Sequence, residues 1–262
     1  MDGWASIPRR VARRIRGTRR DYLHHFRAIH GRAPILDDPV EAIDKMASLV
    51  RCADLSSIRH LADKYEVRDF YRRRIGESCL APLLGVHDCF VDIDRSSLPN
   101  SFVIKCTHGC RGNVRVPDRD AADWKAIGRQ LESWLGGPGG GVEDVKIFVD
   151  RGKPIGGIVH TADEPAIFTG YDAQGAVLIP RTVEGGDPPP PERFGDCLDL
   201  AATLGRGLPA VRVDFLLLDG RIDAGEMTFL TGAGLHASLP GPTYVGTFDL
   251  REFDRRPILR EG

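Results

Sequence analysis

Apolar and polar positions along the chain alternate between two periods. Residues 8–30 interleave arginines with Val11, Ile15, Leu23, Phe26 and Ile29, a loose helical spacing. Residues 38–52 predict a helix, with Asp38 as its cap and Pro39 in its first turn. Residues 56–75 predict another, ending before Gly76. Short β-type runs follow at 80–84 and at 101–106, the second reading SFVIKC. A turn, T-H-G-C-R-G-N, leads from there into Val114–Val116, so this stretch predicts a hairpin with a glycine-rich tip. Residues 120–135 return to helical spacing through Trp124, Ile127, Leu131, Trp134 and Leu135, and GGPGGG at 136–141 breaks it. Strands are expected at 144–149 and 155–160 around Arg151-Gly152, and again at 166–168 and 177–179. The proline run 188–191 makes a stiff linker before a helix over 192–206. Residues 210–230 then predict two strands around Asp219-Gly220. Hairpins interleaved with helices, without regular βαβ units, point to an α+β arrangement of lobes.

Composition narrows the class. With 42% hydrophobic and 28% charged residues over 262 positions, wholesale disorder is excluded. No apolar run approaches the ~18–20 residues that cross a bilayer, and the arginine-rich start lacks a secretory apolar core. The expectation is a cytoplasmic protein. Its six cysteines contain no C-x-x-C pair and read as reduced thiols. Cys106, His108 and Cys110 would supply three zinc ligands but no fourth.

The net charge of −1 conceals an asymmetry. Residues 1–36 hold nine arginines against two aspartates, a local +7 that leaves −8 for the remainder. Such an arm reads first as a solvated helix face or a disordered tail, and it also suits a peripheral contact with an anionic membrane through residues 8–20. Nothing continues the basic stripe, which argues against specific nucleic-acid binding.

The most informative segment is AVRVDFLLLDGRIDAGEMTFLTGAG, 210–234. A three-residue loop at 218–220, with Gly220 left-handed, is a common hairpin solution. Any loop of odd length places Arg212, Asp214, Glu226 and Thr228 on one face, and Val211, Val213, Phe215, Met227 and Phe229 on the other. An even loop would split the two carboxylates across the sheet. Paired carboxylates repel unless a cation lies between them, and hard oxygen ligands suit Mg²⁺. Arg212 could then steady a phosphoryl group. A solvated hairpin face with Arg212 paired to an acid fits the same spacing. In SFVIKCTHGCRGN, Lys105 ends a strand before a turn with Gly109 and Gly112, whose amides could approach phosphate oxygens; a plain hairpin tip fits equally. The chain has no G-x-x-x-x-G-K-[ST] loop, no strand-borne G-x-G-x-x-G and no G-x-S-x-G elbow. Asp92-Ile93-Asp94 fits the D-x-D string of sugar-nucleotide enzymes but lies in an unsuitable context.

Three stretches taken in order, ADKYEVRDFYRRRIG (62–76), LAPLLGVHDCFVDIDRSSLPNSFVIKCTHGCRGN (80–113) and PAVRVDFLLLDGRIDAGEMTF (209–229), resemble the TupA-like ATP-grasp family. That family is named for teichuronopeptide biosynthesis. The resemblance implies an ATP-grasp-like α+β fold whose two lobes hold ATP. It also implies Mg-ATP-dependent joining of a carboxylate and an amine through an acyl-phosphate, in cell-envelope polysaccharide or peptide modification. Its partners would be a small-molecule or glycan-linked carboxylate and an amino acid or amine. By position, Lys105, His108, Gly109, Arg111, Gly112, Asn113 and Lys146 match nucleotide-contacting residues. Asp214, Glu226 and Thr228 match the metal ligands, and Arg212 and Lys105 the catalytic cations. The resemblance divides the chain into a basic arm (1–35), an N-terminal helical region (36–100), a small nucleotide-clamping lobe (101–160) and a C-terminal lobe with the metal hairpin (161–262). Relatives carry some tens of residues between the helix ending at Leu135 and the strand at Asp144, including the hinge that holds adenine. Here GGPGGGVE fills that interval, so a scaffold protein without catalysis is the alternative expectation.

Overall fold

The structure, a computed structural model, describes residues 19–87, 89–105, 107, 113–134, 144–160, 168–181, 186–218, 220–235, 248–254 and 258–259. The basic arm up to residue 18, the turn residues His108, Gly109, Cys110, Arg111 and Gly112, and the segment 135–143 lie outside these residues. The described helices and strands make the α+β class expected from the pattern. They divide into two units, one built from residues 1–54 with 230–256, the other from 55–229 with 257–262.

In the first unit, α1 (Arg19–His30), α2 (Ala42–Cys52), the turn Thr231–Gly234 and the short α6 (Arg251–Asp254) enclose Phe26, Met46, Leu49, Phe248 and Phe253. Asp44, almost fully buried, accepts both arms of the Arg32 fork at 2.8 Å and the Ile35 amide at 3.0 Å. These bonds satisfy a charge that burial would otherwise penalise. Helix α2 starts at Ala42 with Glu41 at its cap position, later than Asp38 predicts; Asp38 instead takes a left-handed backbone (φ 49°).

In the second unit the predicted helix over 56–75 is broken. Ser56–Ala62 is a 3-10 turn, Asp63 is extended, and α3 runs Val67–Ile75 up to Gly76. The cause is local. Asp63 Oδ1 accepts the amides of Tyr65 at 2.8 Å and Glu66 at 3.0 Å, an alternative to continuing the helix. The expected strand at 80–84 is absent: Leu83 and Leu84 are about half exposed and pair with no neighbour. Strands β1 (Phe102–Lys105) and β2 (Asn113–Val116) form the predicted hairpin. Its Phe102, Val114 and Val116 pack on Trp124, Ile127 and Leu131 of α4 (Trp124–Trp134).

A six-stranded antiparallel sheet makes the rest, ordered β6 (Val177–Ile179), β5 (Phe168–Asp172), β4 (Lys153–His160), β3 (Asp144–Asp150), β7 (Ala210–Leu218), β8 (Arg221–Thr228). It runs through the boundary expected at 160/161, because β3 and β4 hydrogen-bond to β7 and β5. Val145, Ile147, Val149, Val211, Val213, Phe215 and Met227 share its buried face with Cys197, Ala201 and Leu204 of α5 (Phe194–Gly205). Gly205 permits that approach, since a Cβ there would lie 2.5 Å from Val149 Cγ1. Helix α3 packs against both α5 and β8.

Candidate active site on the polar face of the sheet

The β7–β8 hairpin reaches the expected face by a different route. Leu218 pairs with Arg221, so two residues form the turn, and Phe215 still pairs with Ala224. A two-residue turn alone would put Asp214 opposite Gly225 and turn Glu226 to the other face. The register shifts between Asp214 and Phe215 instead, so that Asp214 pairs with Glu226 and Arg212 with Thr228. Gly225 is the extra residue of a β-bulge, and a Cβ there would lie 3.1 Å from the Asp214 carbonyl oxygen. The bulge thus restores the parity that the even turn removes. It also leaves Asp223, which pairs with Leu216, on the same face as Glu226.

Those side chains form one connected network. Arg212 Nε and Nη2 donate to the two carboxylate oxygens of Asp214 at 2.6 and 2.7 Å, and Nη2 reaches Thr228 Oγ1 at 3.1 Å. Thr228 Oγ1 donates in turn to Glu226 Oε1 at 3.1 Å. From β3, which pairs Lys146 with Asp214, the Lys146 ammonium lies 3.3 Å from Asp214 Oδ2 and also donates to Asp144. Lys64, on the stretch that Asp63 caps, reaches Glu226 Oε2 at 3.3 Å while its amide donates to Thr107 O at 3.0 Å. Lys64 therefore ties the chain just beyond β1 to the carboxylates of β8.

Burial and charge act against each other here. Burial alone would raise the Asp214 pKa, but Arg212 and Lys146 together outweigh it and hold the carboxyl below its ordinary range. For Lys146 burial prevails: desolvation lowers its pKa despite Asp214, with Arg212 adding repulsion. Lys105 has an exposed side chain, yet the surrounding protein, then the charge of Lys64, lower its pKa too. Its field includes Asp223 and Glu226, so the strand lysine and the carboxylates interact electrostatically. The Tyr71 hydroxyl of α3 is fully buried, without a hydrogen-bond partner among the described residues, and raised well above its usual pKa by burial and by the charges of Asp214 and Glu226.

Of the expected site residues, Arg212, Asp214, Glu226, Thr228 and Lys146 are brought together. Lys105 lies within reach of their field, and Asn113 opens β2 opposite it. His108, Gly109, Arg111 and Gly112 lie outside the described residues. Lys64, Asp144, Asp223 and Tyr71 belong to the site but are absent from the sequence-based set. Asp144 was findable from the two-residue spacing of D-V-K. Nothing local marks Lys64, whose partner is far along the chain. Among the described residues no three His, Cys, Asp or Glu side chains are grouped to hold a metal by themselves. Mg²⁺ normally takes one or two carboxylates and completes its shell with water and phosphate oxygens. Asp214 and Glu226 fit that role, with Thr228 as a hydroxyl beside them.

Residues 44–135 match the model of the TupA-like ATP-grasp family. Over that stretch, about a third of its length, the chain is similar to that family. The matched segment includes Lys64, Tyr71, Lys105 and all of α4, while β7 and β8 lie outside it. No curated protein matches the chain. Among solved structures, the ATP-grasp ligase PsnB complexed with minimal precursor, Mg and ADP is 13% identical, with a TM-score of 0.38, over 76% of this chain and 58% of its own. PsnB complexed with the minimal precursor alone is also 13% identical, with a TM-score of 0.37, over 76% of this chain and 62% of its own. The chain thus spans less than two thirds of either. Among the described residues no helix is long and apolar enough to cross a membrane.

Proposed function

We propose that the chain is an Mg-ATP-dependent carboxylate–amine ligase acting on a small-molecule, peptide or glycan-linked carboxylate. The observation that carries this reading is the pairing of Asp214 with Glu226 on one face, linked through Arg212 and Thr228. In such a reaction a carboxylate oxygen takes the γ-phosphoryl group, releasing ADP. An amine nitrogen then attacks the acyl carbon, phosphate leaves, and the amine proton passes to solvent or a base. Bound at Asp214 and Glu226, Mg²⁺ would neutralise phosphate oxygens. The chain's own residues would do the rest. Arg212, released from Asp214, presents a planar two-donor fork to the acyl-phosphate oxygens. Lys146 and Lys105 add point charges along the phosphates, and Lys64 keeps the chain just beyond β1 close to Glu226. The family resemblance supports the acceptor class and a role in cell-envelope polysaccharide or peptide modification.

The test is calorimetry with Mg-ADP and Mg-ATP, followed by phosphate release with candidate carboxylates and amines. Saturable, Mg-dependent nucleotide binding is expected, lost by at least about tenfold in Glu226→Gln, which keeps the shape of the side chain. Turnover should require both acceptors. Nucleotide binding that is indifferent to Mg²⁺ and to Glu226→Gln would sink the carboxylate-pair reading, and binding without turnover for any acceptor would make the protein a scaffold.

A further inference from the structure

The small hairpin lobe carries a second concave site that shares no residue with the carboxylate network. The turns Phe90–Asp92 and Arg95–Ser97 run beside α4, and Gly128 lets them come close: a Cβ there would lie 2.7 Å from Phe90 Cε1. The rings of Phe90 and Trp124 stand 6.3 Å apart, tilted by 33°. The Arg95 guanidinium lies over both, 5.3 Å from one centroid and 5.0 Å from the other. Such stacking fixes the plane of the guanidinium while leaving its N–H edge open for a two-pronged contact. Among the described residues no carboxylate or carbonyl occupies that edge.

Lys125 and Arg129, four residues apart on exposed positions of α4, line the same cleft of about 370 Å³. Among the described residues neither has an ion-pair partner and no acidic side chain lines the cleft. Like charges at that helical spacing repel. Three cations therefore line a hollow within the usual size range of small-molecule sites, at some cost and with no counter-charge among the described residues.

We propose that this cleft binds a polyvalent oxyanion, its phosphate or carboxylate groups clamped by the Arg95 fork with Lys125 and Arg129 flanking it. Phosphate and carboxylate present the same planar or near-planar pair of acceptor oxygens to a guanidinium, so both sources satisfy the geometry. Trp124 offers a local reporter, because its indole N–H is bonded to Arg119 O at 3.2 Å beside the cleft.

The experiment titrates the full chain, labelled at the tryptophan indole nitrogen and free of metal, with inorganic pyrophosphate and separately with citrate. The Trp124 resonance is assigned by its loss in Trp124→Phe. A saturable shift of that resonance is expected, with affinity reduced about tenfold by Arg95→Ala and several-fold by Arg129→Ala, and unchanged by Lys105→Ala. Arg129 is exposed, so its variant keeps the test sound should Arg95→Ala loosen the ring packing. Saturation by pyrophosphate alone assigns phosphate chemistry, and by citrate alone carboxylate chemistry. The proposal is overturned by the absence of a saturable shift with both anions at millimolar concentration. It is equally overturned if both arginine variants bind as the parent does, or if Lys105→Ala abolishes the shift, which would place the anion at the glycine-rich turn.

Discussion

Two regions of the second unit each gather three cations, and they treat them in opposite ways. On the sheet, Lys64, Lys146 and Arg212 meet Asp144, Asp214 and Glu226 within hydrogen-bonding or ion-pair distance. Beside α4, Arg95 lies over two aromatic rings, with Lys125 and Arg129 lining the same cleft and no ion-pair partner among the described residues. On the function proposed above, a ligand at the sheet would exchange partners: a metal would take Asp214 away from Arg212, and Arg212 would become available to phosphate. A ligand at the α4 cleft only adds partners. The first arrangement couples binding to rearrangement, whereas the second offers a standing positive charge.

The largest way to break this contrast is Asp214→Ala. It leaves Arg212 and Lys146 largely buried without their shared acid, and should cost about 3–5 kcal/mol in urea denaturation. The same group sets an acid limit. Because its folded pKa lies below the ordinary carboxyl value, its stabilising effect is complete above that value, about pH 4, and is lost as pH falls through the folded pKa. Acid titration of the parent should therefore show an additional loss of stability below about pH 4 that Asp214→Asn lacks.

A smaller effect of opposite sign is expected at Tyr71. Its hydroxyl is buried without a partner among the described residues, so Tyr71→Phe should raise stability by about 1 kcal/mol, read as a higher urea midpoint with unchanged slope. A loss of similar size would show that the hydroxyl is bonded in solution.

The smallest effect sharpens the contrast from the other side. Arg129→Gln removes one of the unopposed charges on α4 and should stabilise the protein by a few tenths of a kcal/mol at low salt. The gain should vanish as salt screens the pair. Removing a charge thus costs stability where charges are balanced and returns a little where they are not.

What could be read from the chain follows the range of the forces involved. The hairpin faces, helix α5 and the β3–β4 pair were legible because each is set by periodicity over a few residues. The membership of Arg212, Asp214, Glu226 and Thr228 in one face was also legible, although the turn is shorter than expected and a bulge compensates. The break at Asp63 was missed because a capping aspartate inside an apolar repeat looks like any polar helix position. Lys64 was missed with it, since its position depends on that break and on a carboxylate more than a hundred and fifty residues away. The segment 80–84 is apolar without being a strand, for a β-run needs a neighbour that the topology does not provide.

The bulge at Gly225 has an implication for length variation. Turn size and bulge count are two switches for one outcome, and flipping either alone sends Glu226 to the oily side of the sheet. A one-residue deletion in β8 would then split the carboxylate pair while leaving both acidic letters in place, whereas the same deletion joined to a single insertion at the tip would keep the pair on one face. Comparisons that align only the acidic letters would miss the difference; those that track gaps would find it.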